Sequence, residues 1–341
     1  MSVQNVGDRP TSFSIAICTF NPDPRLLRRL LASVADLEEF DKIAEILIID
    51  NKSRPSIRSH DFVGSFLAQV PVARLIEEPT IGLTAARCRA IKETSSDVVV
   101  LFDDDNEPDK NYIYILHKYF SKYPNVGIWG PGQIQVEYVD PVSSWFMRNQ
   151  HRFHERRRGF GYVCIPGAWT TYSPNGTGFA VRRSVLSAYV SAIELEKIRS
   201  PDRVGGALSS AGDVQLVWEA VKLGLAAGMV PELSCKHLIN ATKANPRYLR
   251  RLSFGTSSSY APALIESFPD QASQLQVRAG SIYMLARLAR LLLKLLLRPP
   301  VRLEYQLQFA SELGAIYGRA KAIRSPSAGM ALKLAYCLGL V

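Results

Sequence analysis

Three carboxylates stand in a row, Asp103, Asp104 and Asp105, directly after the run Asp97-Val98-Val99-Val100-Leu101-Phe102. Adjacent like charges repel, so something has to offset them. A divalent cation shared with a phosphate-bearing ligand does so most simply, because hard cations prefer carboxylate oxygens. A solvated loop or a helix start capped by Asp109 would also hold such a run. An EF-hand loop would not. Asp103, Asp105 and Glu107 alternate suitably, but Pro108 occupies the position that needs Gly.

Carboxylates at that place require an element to present them. The β-branched run before them is the pattern of a strand buried on both faces of a parallel sheet. Phe13 to Phe20, Glu45 to Asp50 and the shorter Ala73 to Glu77 read as three more strands. Between them lie helix signals. Asp23 caps a helix with Pro24 at its first position and Leu27, Leu30, Leu31 and Val34 on one side. Gly82 opens another that carries Ala85, Ala86, Ala90 and Ile91. A third covers roughly residues 112–123, before a strand through Val126 to Trp129. This alternation predicts a doubly wound, mostly parallel α/β sheet. Ligands bind such sheets beyond the carboxyl ends of the strands. Thr19 with Asn21, Asp50 with Asn51, and Asp103 to Asp105 all fall there, and their convergence outlines a nucleotide cleft. No Gly-x-Gly-x-x-Gly follows the first strand and no Gly-x-x-x-x-Gly-Lys occurs, which disfavours dehydrogenase and P-loop folds.

Residues 133–172 lose this order. Trp145, Phe146, Phe153, Phe160, Tyr162 and Trp169 mix with Arg148, Arg152, Arg156, Arg157 and Arg158. Such a mixture fits single-stranded nucleic acid, a sugar or lipid-phosphate site, or a packed subdomain. Order resumes with a glycine turn and strand from Asn175 to Arg183, containing Gly176, Thr177 and Gly178, then a helix from Ser184. Asp213 starts a further helix, where an N-cap is the plain structural reading. Leu225 to Val230 reads as a last short strand ended by Pro231, and His237 follows it.

The bulk composition agrees with a globular chain: 341 residues, 47% hydrophobic and 21% charged. Net charge is +10, which favours anionic partners without choosing among them. The five cysteines are scattered and form no Cys-x-x-Cys pair, as expected of thiols in a reducing cytosol. Residues 1–11 form a polar tail without an apolar signal core, so a cytoplasmic location is expected. From Ser281 to Arg298 a leucine-rich segment carries Arg287, Arg290, Lys294 and Arg298 as one helical stripe. It suits either an interfacial helix on an anionic membrane surface or a helix packed on this chain or a second copy in a homo-oligomer. Its charges argue against a spanning helix. Another helix, roughly residues 303–322, follows Pro299-Pro300.

Taken together, these stretches resemble the GT-A fold glycosyltransferases of the large inverting family 2, in the same order over roughly residues 12–237. Thr19-Phe20-Asn21 resembles the first-strand nucleotide contact. Asp50-Asn51-Lys52-Ser53 resembles the family turn whose Asp contacts the base. Residues 78–87, with Gly82 and Arg87, resemble the Asn-x-Gly-x-x-x-Ala-Arg-Asn segment, with Pro79 and Cys88 as departures. Asp103-Asp104-Asp105 is similar to the Asp-x-Asp metal motif, and residues 175–183 to the glycine turn near the acceptor. Gly212-Asp213 stands where the family has Glu-Asp, and residues 231–237 resemble its closing Pro…His element.

The resemblance implies a GT-A domain over residues 12–250 and a helical extension over 251–341. It implies Mg²⁺ or Mn²⁺ at Asp103, Asp105 and His237. A nucleotide-diphosphate sugar would lie on Thr19, Asn21, Asp50, Asn51, Gly82, Arg87, Asp103 and Asp104. Asp213 would be the general base, and a glycan or lipid-linked acceptor would lie near Gly176, Thr177 and Gly178. The implied location is the cytoplasmic face of the membrane, and nucleic acid is not an expected partner. A sugar-phosphate nucleotidyltransferase and a non-catalytic basic binding protein are the other readings.

Overall fold

The computed structural model describes residues 12–200, 202–272, 289, 290, 293 and 302–341. The predicted tail 1–11 lies outside them, as does the predicted basic helix 281–298 apart from residues 289, 290 and 293. In chain order the strands are β1 (Phe13–Thr19), β2 (Ile43–Asp50), β3 (Ala73–Glu77), β4 (Val98–Asp103), β5 (Asn106–Pro108), β6 (Val126–Tyr138), β7 (Arg156–Arg157), β8 (Gly161–Val163), β9 (Phe179–Arg182) and β10 (Ala226–Ile239). The helices are α1 (Pro24–Ala35), α2 (Asp61–Gln69), α3 (Leu83–Glu93), α4 (Tyr112–Lys122), α5 (Ser144–Arg148), α6 (Arg183–Glu194), α7 (Gly212–Lys222), α8 (Pro246–Ser267), α9 (Arg302–Ala322) and α10 (Ser327–Cys337).

All the strands join one mixed sheet, whose main path runs β3-β2-β1-β4-β9-β6-β10-β5. The half from β3 to β4 is parallel throughout. Antiparallel pairing begins at β9, which lies between β4 and β6. Strand residues alternate between two cores. Ile15, Ile17, Ile48 and Val100 face α1, α2 and α4, whereas Ala16, Ile49, Val99 and Leu101 face α3, α6 and α7. Burial on both sides is why these strands read as unbroken apolar runs.

Two strands exceed their predicted length. β6 continues from Trp129 to Tyr138, and β10 passes Pro231 to Ile239 instead of stopping at Val230. Pro231 has no N–H to offer a ladder, and the register with β6 shifts between Val230 and Ser234, so the strand absorbs the proline as an irregularity. Beyond it, β10 pairs in parallel with β6 and antiparallel with β5. His237 is therefore a strand residue opposite Asn106.

The C-terminal helices pack on α8. Phe254, Phe309, Leu313, Ile316, Ala331 and Ala335 form a core of their own. Leu249 of α8 and Leu307 of α9 belong to a separate cluster with Val136, Phe146, Phe153 and Ile239 at the sheet. Among the described residues no helix is long and apolar enough to cross a membrane.

Candidate active site

β1, β2 and β4 run parallel in register, with Thr19 opposite Asp50 and Cys18 opposite Asp103. Their polar ends therefore share one edge. Beyond that edge lies a cleft of about 320 Å³. Thr19, Asn51, Asp103, Asp104, Asp105, Gly176, Thr177, Asp213 and His237 all line it. Asn21, Asp50, Gly82, Arg87 and Gly178 do not line it, and each has a definable structural task.

Asp50 is buried, and its oxygens accept from Ser53 N–H (2.9 Å), Ile57 N–H (3.0 Å) and the Ser56 hydroxyl (3.0 Å). It closes its own turn. Asn51 Oδ1 accepts from Gly82 N–H (2.8 Å), and its Nδ2 donates to the carbonyl of Thr80 (2.6 Å). Gly82 has φ +138, a conformation that side chains strain to adopt. Asn21 N–H donates to Ser53 Oγ (2.9 Å) and its Oδ1 accepts from Arg54 N–H (2.8 Å), tying the β1 and β2 turns together. The Gly178 carbonyl accepts from the buried Tyr112 hydroxyl.

The three carboxylates differ in setting. Thr19 Oγ1 donates to Asp104 Oδ2 at 2.5 Å. Asp105 Oδ2 meets His237 Nε2 at 3.3 Å and Lys243 Nζ more closely, and Asn106 Nδ2 donates to Oδ1 at 3.0 Å. Burial opposes ionisation of Asp105, but Lys243 and then His237 overcome it and hold its carboxyl far below the usual range. Burial, and then the charge on Asp105, push Asp103 up to about 7 and Asp104 up to about 6. Cys18 also lines the cleft, but burial raises its thiol to about 12, so it offers no thiolate.

The donor atoms at this tip suit a hard divalent cation. His237 Nδ1 lies 2.8 Å from the Phe153 carbonyl, which only accepts, so Nδ1 carries a proton. Nε2 faces Asp105 Oδ2, an oxygen that Lys243 Nζ already serves as a cation, so a metal there would share Asp105 with the ammonium or displace it. Among the described residues no three His, Cys, Asp or Glu side chains are gathered into a ready metal cage. A metal here would need ligands from a bound molecule, as metals at phosphate sites usually do.

In the same cleft, Asp213 stands in the first turn of α7. Its Oδ2 accepts from Gly176 N–H at 2.7 Å, and its Oδ1 lies 3.0 Å from Arg87 Nη1. A Cβ on Gly176 would sit 2.7 and 2.8 Å from the two oxygens, so only glycine leaves the carboxylate its seat. Arg87, expected among the ligand contacts, is instead only 3% exposed and reaches Asp213 from beneath. Its Nη1 also lies 3.2 Å from Asp202 Oδ2. Asp202 carried no sequence signal. Its Oδ2 occupies the space that a Cβ on Gly212 would need, 2.3 Å away. Lys243 was equally silent, placed as it is in an irregular turn after β10.

The comparisons with known proteins bear on the family and the fold. The family model described as Glycosyl transferase family 2 matches residues 14–189, just over half of the chain. Among solved structures, the chain is similar to a mannosyltransferase from Pyrobaculum calidifontis, PcManGT, in complex with GDP-Man and Mn²⁺. Identity is 17% and the TM-score 0.54, over 92% of this chain and 88% of that one. It is also similar to GalNAc-T7 with UDP, GalNAc and Mn²⁺, at 17% identity and a TM-score of 0.51, over 76% of this chain. The match spans 48% of the GalNAc-T7 chain, about half its length. At such identities the likeness shows a shared GT-A fold. No curated protein matches the chain.

Proposed function

Because the chain belongs to glycosyl transferase family 2 and is thus a glycosyltransferase, we propose that it moves a sugar from a nucleotide-diphosphate donor to a glycan or lipid-linked hydroxyl, with inversion and with divalent metal. The observation that carries this reading is the presence of two carboxylate centres in one cleft. At the acidic tip Lys243 and His237 meet Asp105, and Asp213 has its own seat on Gly176 and Arg87.

In this reading Thr19, Asn51 and Asp104 border the donor, while Asn21, Asp50 and Gly82 fix the two turns against which its base lies. Asp103, Asp105 and His237 would hold Mg²⁺ or Mn²⁺. When bound, such an ion offsets charge on the departing diphosphate as a Lewis acid. Asp213 accepts the proton of the acceptor hydroxyl as that oxygen attacks the anomeric carbon from the face opposite the diphosphate. A carboxylate has about four lone-pair sites, so Asp213 keeps acceptor capacity beyond Gly176 and Arg87. One displacement inverts the anomeric centre and needs no covalent enzyme intermediate. Gly176 and Thr177 border the acceptor side, and Gly178 shapes their turn.

The unit responsible would be residues 12–250, with 251–341 as the extension. The free cysteines and the basic, leucine-rich 281–298 fit work at the cytoplasmic face of an anionic membrane, with surface glycan synthesis as the setting. The test is product analysis across a panel of nucleotide sugars, with and without Mn²⁺. Metal-dependent release of nucleoside diphosphate and an inverted product anomer are expected. Release of pyrophosphate would point to nucleotidyl transfer, and retention of configuration would sink the single-displacement mechanism.

A further inference from the structure

Past Asp213 the cleft opens into a second hollow of about 870 Å³. Asp213, Arg152, His154, Asn175 and Arg203 line both spaces, so Asp213 stands at their junction. The far wall lies outside the segment matched by the family model. It includes Ser253, Thr256 and Ser257 on α8 and Gln308 and Ser311 on α9. Positions 253, 256 and 257 share one face of their helix, as do 304, 308 and 311 on theirs. Ser257 Oγ and Ser311 Oγ lie 2.8 Å apart, which joins the two helices at this wall.

The surface of this hollow is mixed. It offers small hydroxyls, an amide and a carboxylate, Glu304, beside Val214, Trp169 and Tyr260. Of the leucines that border it, Leu249 and Leu307 are buried in the core beneath and Leu252 is half-buried. Trp169 lies on its border with 38% of its surface exposed. Arg152 adds a buried Nε that has no hydrogen-bond partner among the described residues. An acyl chain laid here would strip water from the hydroxyls without replacing their hydrogen bonds. A molecule studded with hydroxyl groups replaces them, and an aromatic ring covers its C–H face. The volume is near the upper end of the roughly 300–1,000 Å³ typical of small-molecule sites, which exceeds the needs of one sugar ring.

We infer that the α8–α9 hollow is the acceptor subsite and that it takes a saccharide chain of two or more units, its end hydroxyl reaching Asp213. This rests on the glycosyltransferase reading above and goes further by naming where the acceptor lies and what it is. Thr256 and Gln308 are exposed, so tryptophan at either position fills the hollow without entering the core.

The experiment measures binding of UDP and GDP, and of hexose and N-acetylhexosamine mono-, di- and trisaccharides, by calorimetry on the full chain. Wild type is expected to bind one di- or trisaccharide roughly tenfold or more tighter than its end monosaccharide. Thr256→Trp and Gln308→Trp are expected to weaken that binding by about tenfold or more while nucleotide affinity stays level. Tyr114→Trp, on an exposed face of α4 outside both spaces, controls for an added tryptophan and should bind as wild type does. A wild type that binds nucleotide but no saccharide overturns the inference, and so do tryptophan variants that bind saccharide normally. A wild type that binds no nucleotide and releases nothing from any nucleotide sugar overturns the donor reading first, and this inference with it.

Discussion

Gly212 leaves a gap that Asp202 fills, and the exchange explains a departure that looks damaging in the sequence. The family resemblance places a Glu beside Asp213, yet residue 212 has no side chain. In the fold a carboxylate still arrives there, carried by the preceding loop, and it pairs with Arg87 3.2 Å away. Asp213 and Asp202 thus share one guanidinium, but their surroundings differ. Asp213 keeps 20% of its side chain exposed to the cleft, while Asp202 keeps 3%. Different losses follow from removing each. Asp213→Asn should keep its fold and its nucleotide affinity but lose about 10²–10⁴-fold in kcat, the usual worth of a general base. Asp202→Ala should unfold at lower urea, since breaking a buried ion pair costs up to about 3–5 kcal/mol. Turnover and urea midpoints for the two variants check this, and a normal kcat for Asp213→Asn would remove it from the base role. At this scale the sequence announces the residues on the strand ends and at helix starts, because their neighbours are periodic. It is silent on Asp202 and Lys243, which sit in irregular segments and matter only through what folds against them.

Elements show the same division between local and distant causes. α1 was legible because its cap is local: Asp23 Oδ1 accepts from Arg25 N–H at 3.0 Å, and Pro24 follows. The Arg25 guanidinium also bonds Asp23 and lowers its carboxyl from 3.8 to about 2. A depressed folded value means that the stabilisation is present above pH 4 and is lost as pH falls towards 2. Asp23→Ala should therefore cost about 0.5–2 kcal/mol at neutral pH, as lost caps do. The gap to wild type should shrink on acidification, as chemical denaturation at several pH values would reveal. A gap constant down to pH 2 would mean the carboxylate charge contributes nothing. α2 was not legible, since only Val63 and Phe66 are buried along it. Nor was the continuation of β10, where pairing with β6 and β5 outweighs Pro231. α8 and α9 touch through glycine: a Cβ on Gly314 would lie 2.3 Å from the Phe254 carbonyl, and one on Gly318 2.4 Å from that of Ser258. Gly314→Val should push the helices apart at an overpacking cost of about 1–3 kcal/mol. A lower thermal midpoint is the readout, and an unchanged one would show that the contact yields freely.

At the scale of the whole molecule, the alternation of strands and helices foretold the parallel half of the sheet, because each crossover leaves its own period. It did not foretell how β9, β6 and β10 interleave, which depends on partners far apart in the chain. The surplus of positive charge acts at this scale too. If the extension works at a membrane, the full chain should sediment with vesicles containing anionic lipid and remain free of neutral ones, and added salt should release it. Equal recovery from both vesicle types would discard that role. The strand order has a last consequence, for synthesis on the ribosome. β4 and β6 are both made before β9, the strand that separates them, and β5 waits for β10 to Ile239. At about 5–20 residues per second, the stretch from Arg182 to Ile239 takes about 3–12 s to emerge. Through that interval β6 and β5 carry bare edges that only β10 will cover, and holdase chaperones have their clearest opening there.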